Sequence, residues 1–65
     1  MSEAQTTAAM TRAAAIDVLL DEAKRCARMG GERQEFIDDA PQWALDAVTQ
    51  RQLDAIVEMA WRGLP

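Results

Sequence analysis

The sequence predicts an all-α protein, a small bundle of three to four helices. Three observations carry that prediction. Alanine is abundant and Tyr is absent, while Val, Ile and Thr are scattered without the period-two alternation of a strand. Two long stretches space their apolar residues three and four apart, which is one face of a helix. Glycine and proline fall where those stretches have to stop.

The first long helix is expected over about 11–28. Thr7 or Thr11 can cap its start, and residues 1–8 read as a polar, frayed lead-in. Ile16, Leu19, Leu20, Ala23 and Ala27 share its inner face, with Cys26 at the edge. Asp21 and Arg25 are spaced for an i,i+4 pair on the outside. Lys24, Arg25 and Arg28 occupy the last turns, where the helix dipole favours cations. Gly30 and Gly31 end the helix, because glycine accepts the left-handed conformation there.

A short helix follows from Glu32 to about Asp39, with Phe36, Ile37 and Ala40 facing inward. Pro41 stops it, since the residue before a proline avoids the α region. Proline also suits a first helical position. Trp43, Ala44, Leu45, Ala47 and Val48 then make a one- to two-turn helix or a structured connector. Thr49 and Gln52 form a capping box that opens the second long helix, about 50–62. Its stripe is Leu53, Ile56, Val57, Ala60 and Leu64, and Gly63 and Pro65 terminate it. The expected core is Ile16, Leu19, Leu20, Phe36, Ile37, Leu45, Leu53, Ile56 and Val57.

Sixty-five residues make a single domain, 1–65, and one this short buries only about 60% of its unfolded surface. Such scaffolds usually need a staple. Cys26 is the only cysteine and His is absent, so neither an internal disulfide nor a structural zinc site is expected. A lone cysteine suits a reducing cytoplasm. Met1 to Thr11 contains Glu3 and no apolar run, so no signal peptide is expected. No stretch approaches the roughly 20 apolar residues of a membrane span.

Nucleophilic catalysis needs a nucleophile with an adjacent base. With no His, and with Cys26 expected to be a buried inert thiol, no catalytic residue, cofactor or metal is expected. The expected activity is partner binding. The net charge is −4 and it is unevenly placed. Up to Gly31, Glu3, Asp17, Asp21 and Glu22 balance Arg12, Lys24, Arg25 and Arg28. From Glu32 onward, seven acids (Glu32, Glu35, Asp38, Asp39, Asp46, Asp54, Glu58) face only Arg33, Arg51 and Arg62. An acidic surface repels nucleic acid and attracts basic protein surfaces; a charge of this size also serves plain solubility.

Three features are candidate contact surfaces. Glu32, Glu35, Asp38 and Asp39 are spaced by three and four, so they line one face of the short helix, with only Arg33 near to offset them. Rows of carboxylates can stand in for DNA phosphates in a basic groove. The bland alternative is a solvated helix face. A second apolar strip, Ala15, Val18 and Met29 on the first helix with Ala55 and Met59 on the last, offers an adaptable surface for a partner helix; isolated exposed apolar residues are also ordinary. Trp43 and Trp61 are expected at the core or its edge, although tryptophan is enriched at binding hot spots.

Two resemblances follow from these residues. Val48 to Leu64 resembles the first helix of the LuxR-type helix-turn-helix, in its capping threonine and its Gly-Leu end. The chain stops at Pro65, before a recognition helix, so groove reading is not expected. In size, in its alanine-rich helices and in the stretch from Asp21 to Ala40, the chain resembles the small acidic phage-encoded anti-CRISPR proteins that inhibit type I surveillance complexes. That resemblance implies a protein of the bacterial cytoplasm that binds a surveillance-complex subunit and blocks target DNA. From its charge and hydropathy the chain is expected to make no direct contact with nucleic acid or membrane, and the sequence does not decide between monomer and homodimer.

Overall fold

The computed structural model describes residues 3–63, with side chains from Met10 onward. Four helices follow one another: α1 (Glu3–Arg28), α2 (Arg33–Asp39), α3 (Gln42–Ala47) and α4 (Gln50–Arg62), with no strand among the described residues. The chain is an all-α bundle. Its long axis measures 43 Å, and α1 alone accounts for about 39 Å of that at 1.5 Å per residue. α1 is the spine, and α2, α3 and α4 each pack against it. No helix among the described residues is long and apolar enough to cross a membrane.

α1 starts at Glu3, earlier than Thr7 or Thr11. The alanines at 4, 8, 9 and 13–15 have the highest helix propensity and carry the helix through the threonines. Part of the lead-in read as frayed, Met1 and Ser2, lies outside the described residues. The end of α1 is as expected. Gly30 has φ +78°, its N–H donates to Ala27 O at 3.1 Å, and the Gly31 N–H donates to Cys26 O at 2.9 Å. Those two bonds make a Schellman motif.

Gly31 is required for a different reason. A Cβ there would sit 2.5 Å from Cys26 Sγ, 2.9 Å from Glu35 Oε2 and 3.2 Å from the Cys26 carbonyl oxygen. Gly31→Ala should therefore lower the melting free energy by about 1–3 kcal/mol, the usual penalty of overpacking. Cys26→Ala in the same chain removes the nearest atom and should restore part of the loss. Equal melting points for wild type and Gly31→Ala would show that the turn yields freely.

α2 begins after Glu32, which is the extended N-cap residue and makes no side-chain cap hydrogen bond. Pro41 is the N-cap of α3 instead of its first helical residue; its carbonyl accepts from the Ala44 and Leu45 N–H groups at 3.1 and 3.2 Å. The capping box of α4 is present in both directions. The Gln52 N–H donates to Thr49 Oγ1 at 3.1 Å, and the Thr49 N–H donates to Gln52 Oε1 at 2.8 Å.

All nine residues expected in the core are in it or packed against it. Leu19, Phe36, Leu53 and Ile56 are buried, while Ile16, Leu20, Ile37, Leu45 and Val57 are half-buried around them. The centre of the α1 face is not where the bulky residues suggested. Ala15 is fully buried, which removes it from the second apolar strip. Ala15, Leu19, Ala23 and Ala27 form the buried line of α1. Alanine at a helix contact lets the axes approach toward the lower end of the about 8–10 Å range. Ala40, Ala44 and Ala60 join that line in the core, with Phe36, Leu53 and Ile56.

Three ion pairs lie on the outer surface among the described residues. Arg25 bonds Glu22, not Asp21, with Nη2 at 2.8 and 2.6 Å from its two oxygens. Arg33 crosses from α2 to Asp54 of α4 at 2.5 Å, and Arg62 pairs with Glu58 on α4. Each is solvent-exposed and contributes about 0–1 kcal/mol.

Candidate functional site

The Gly30–Gly31 turn folds α2 back against the last turns of α1 and leaves a cleft between them of about 420 Å³. Glu22, Arg25 and Cys26 line it from α1, Met29 and Gly31 from the turn, and Glu35, Phe36 and Asp39 from α2. Phe36 is 1% exposed, and its ring lies 6.2 Å from that of Trp61 on α4 at 56°.

Three carboxylates converge here: Glu22, Glu35 and Asp39. One guanidinium, Arg25, accompanies them and is engaged with Glu22. The formal charge of the cleft is three negative against one positive, or −2. Cys26 Sγ is partly buried and donates to Glu32 O at 3.6 Å. Desolvation is the first cause that pushes its pKa above the ordinary 9.0, followed by the charges of Glu35, Asp39 and Glu22, against a lowering by Arg25. The thiol is therefore protonated at neutral pH, and the thiol is not the nucleophile. Among the described residues no group of three or more His, Cys, Asp or Glu side chains is placed to hold a metal ion.

The raised pKa has a consequence for stability. The folded chain holds the thiol proton more tightly than the unfolded chain does, so the contribution is complete below the unfolded pKa. It is lost as pH rises through that value toward the folded one. The melting temperature of wild type relative to Cys26→Ala should therefore fall as pH is raised past about 9. A difference that stays constant from neutral pH to pH above 9 would show that the fold does not raise the thiol pKa.

Of the four acids singled out in the sequence, two line the cleft and two do not. Glu35 and Asp39 reach the cleft. Asp38 lies outside it and accepts from Gln34 Nε2 at 3.0 Å. Glu32 precedes the helix, so helical spacing does not apply to it; its carbonyl, instead, receives Cys26 Sγ and the Phe36 N–H. Glu22 was missed. Its signal was present: Glu22, Arg25 and Cys26 are i, i+3 and i+4, a set that the glycine turn had to bring opposite α2.

The apolar strip also changes. Met29 is 81% exposed but lies past the end of α1, on the rim of the acidic cleft. Val18 is half-buried on α1, and Met59 and Ala55 are exposed on α4. Neither Val18 nor Met59 lines the cleft. Trp61 packs against the core as expected. Trp43 does not: it is 49% exposed and borders a shallow depression of about 570 Å³ with Met10, Thr11 and Ala14. Met10 there is 68% exposed.

Comparison of the chain with protein-family models, curated proteins and solved structures finds no match.

Proposed function

We propose that this protein works by binding a partner protein, with the Glu22–Glu35–Asp39 cleft as the contact surface and a basic, nucleic-acid-binding groove as its target. The convergence of three carboxylates from two helices carries the reading. Packed around the edge of Phe36 and Met29, they present several negative charges on one apolar-floored surface, as successive phosphates do. Clefts of one sign raise the local concentration of oppositely charged groups. In its narrower form the proposal is an inhibitor of a type I CRISPR surveillance complex, phage-encoded and acting in the host cytoplasm, which keeps target DNA off the complex. This form draws on the resemblance in size, composition and the Asp21–Ala40 stretch. The reading assigns no catalytic residue and no cofactor.

A second reading, a helical regulatory or assembly module, draws on a separate observation. Met10 and Trp43 form an exposed apolar patch, better suited to that role than Val18 and Met59. Salt separates the two. Immobilised protein should capture its partner from a bacterial lysate at about 0.1 M salt and release it by about 0.5 M, since exposed charge pairs are screened over that range. Duplex DNA should compete. Capture that resists both salt and DNA would favour the Met10–Trp43 patch.

A further inference from the structure

We infer that α2 is a hinged latch, which undocks from the α1–α3–α4 unit before the rest of the protein unfolds. Its ends permit that motion. Gly30, at φ +78°, and Gly31 precede it, and the extended Ala40 and Pro41 follow it.

The local rules that hold α1 and α4 are broken in both short helices, α2 and α3, but α3 packs extensively along α1 whereas α2 touches it far less. α4 opens on a two-way capping box and has Arg62 in its last turn. α1 closes on a Schellman motif with Arg25 and Arg28 in its last turn. α2 has no side-chain hydrogen bond at its N-cap, and its last turn holds no base. Asp38 and Asp39 sit there instead, against the negative end of the helix dipole. Asp39 also repels Glu35, four residues earlier on the same side, and Glu22 lines the opposite wall of the cleft. The one base of α2, Arg33, is spent on the exposed pair with Asp54, which adds little. α2 is thus pinned by Phe36 and, less fully, by Ile37. Conflict between local preference and fold marks the element that opens at lowest free energy.

The free protein opens in this way without any ligand in the cleft, and a partner bound to both walls would oppose the opening. Opening would expose Phe36 and uncover Trp61 while leaving Leu19, Ala23, Leu53 and Ile56 packed. Native-state hydrogen exchange of the wild-type chain in low concentrations of urea tests this. The Phe36 and Ala40 amides, bonded to Glu32 O and Phe36 O, should exchange through an opening smaller than that of Leu19, Ala23 and Ile56. Its urea slope should be intermediate, because the opening exposes an apolar side chain but not the whole core. A zero slope means simple fraying, and a slope and free energy equal to those of α1 mean one cooperative unit; either overturns the latch. Asp39→Lys then tests the charges. It sets a base at the helix end and a favourable partner for Glu35, so protection of Phe36 and Ala40 should rise roughly three- to tenfold. Unchanged protection would show that the carboxylates do not loosen α2.

Discussion

Leu19→Ala should remove a large share of the protein's stability, while Leu20→Ala, one residue on, should remove much less. Leu19 is fully buried and lies on the line of α1 that faces the other helices. Leu20 is half-buried at the flank. Truncating a buried leucine costs about 2–5 kcal/mol, and the cost rises with the cavity that remains. Here closure is limited by the many alanines in the core. Its neighbours along the buried line of α1 are Ala15 and Ala23, and Ala40, Ala44 and Ala60 belong to the same core, so much of the surrounding surface has no side chain able to swing in. A chain of this length has roughly 3–10 kcal/mol in total. A fall in melting temperature of at least about 8 °C is expected for Leu19→Ala, by circular dichroism at equal protein concentration. If Leu20→Ala were the more damaging of the two, the buried line of α1 would be misplaced by one residue.

That one-residue distinction marks the boundary of what was legible in the sequence. Signals that act within a few residues transferred directly. The Thr49–Gln52 box and the glycine stop each set a helix end by their own hydrogen bonds. The large apolar residues were placed correctly because any helix must bury them. Alanine gave no such signal: it is equally at home on a solvated helix face and in a tight helix contact, and its burial depends on which neighbour approaches. Six of the ten buried residues among those described are alanines, and Ala15, read as part of an outer strip, is one of them. From Ala15 to Ala27 the line steps by four residues, about 40° beyond a full turn each time. It winds around α1 as the facing helices do, which only the packing reveals.

The site divides in the same way. Glu35 and Asp39 were legible as an i,i+4 pair on the short helix. Glu22 was not, because it joins them across a turn, and Glu32 was misassigned because it lies one residue before the helix begins. Arg33 looked like the neutralising neighbour of the acids. It turns to Asp54 of α4 instead, and Arg25 takes up the position beside Glu22. Charge counts along the chain locate an acidic half; they do not say which carboxylates share a surface.

Reversing Glu35 and Asp39 together to lysine should abolish steep, salt-sensitive partner binding while leaving the protein folded. With Glu22, Glu35 and Asp39 against Arg25, the cleft carries −2; the double reversal makes it +2. Both side chains are exposed, and neither makes an ion pair among those of the described residues, so no core contact is lost. A base at the position of Asp39 also complements the end of α2. Helicity and melting should therefore be preserved, and both are measured first. Association with a basic groove should slow by roughly ten- to a thousandfold at low salt, since steering by a cleft of one sign is inverted. The difference from wild type should shrink as salt rises. Asp38→Lys, outside the cleft, is the control for the single reversals Glu35→Lys and Asp39→Lys, and should have a smaller effect than either at the same change in net charge. Equal losses for Asp38→Lys and for either cleft residue alone would mean that net charge matters and the cleft does not. If the folded double variant still binds its partner and still keeps DNA away as wild type does, phosphate mimicry is wrong. The exposed surface of Met10 and Trp43 then becomes the place to mutate.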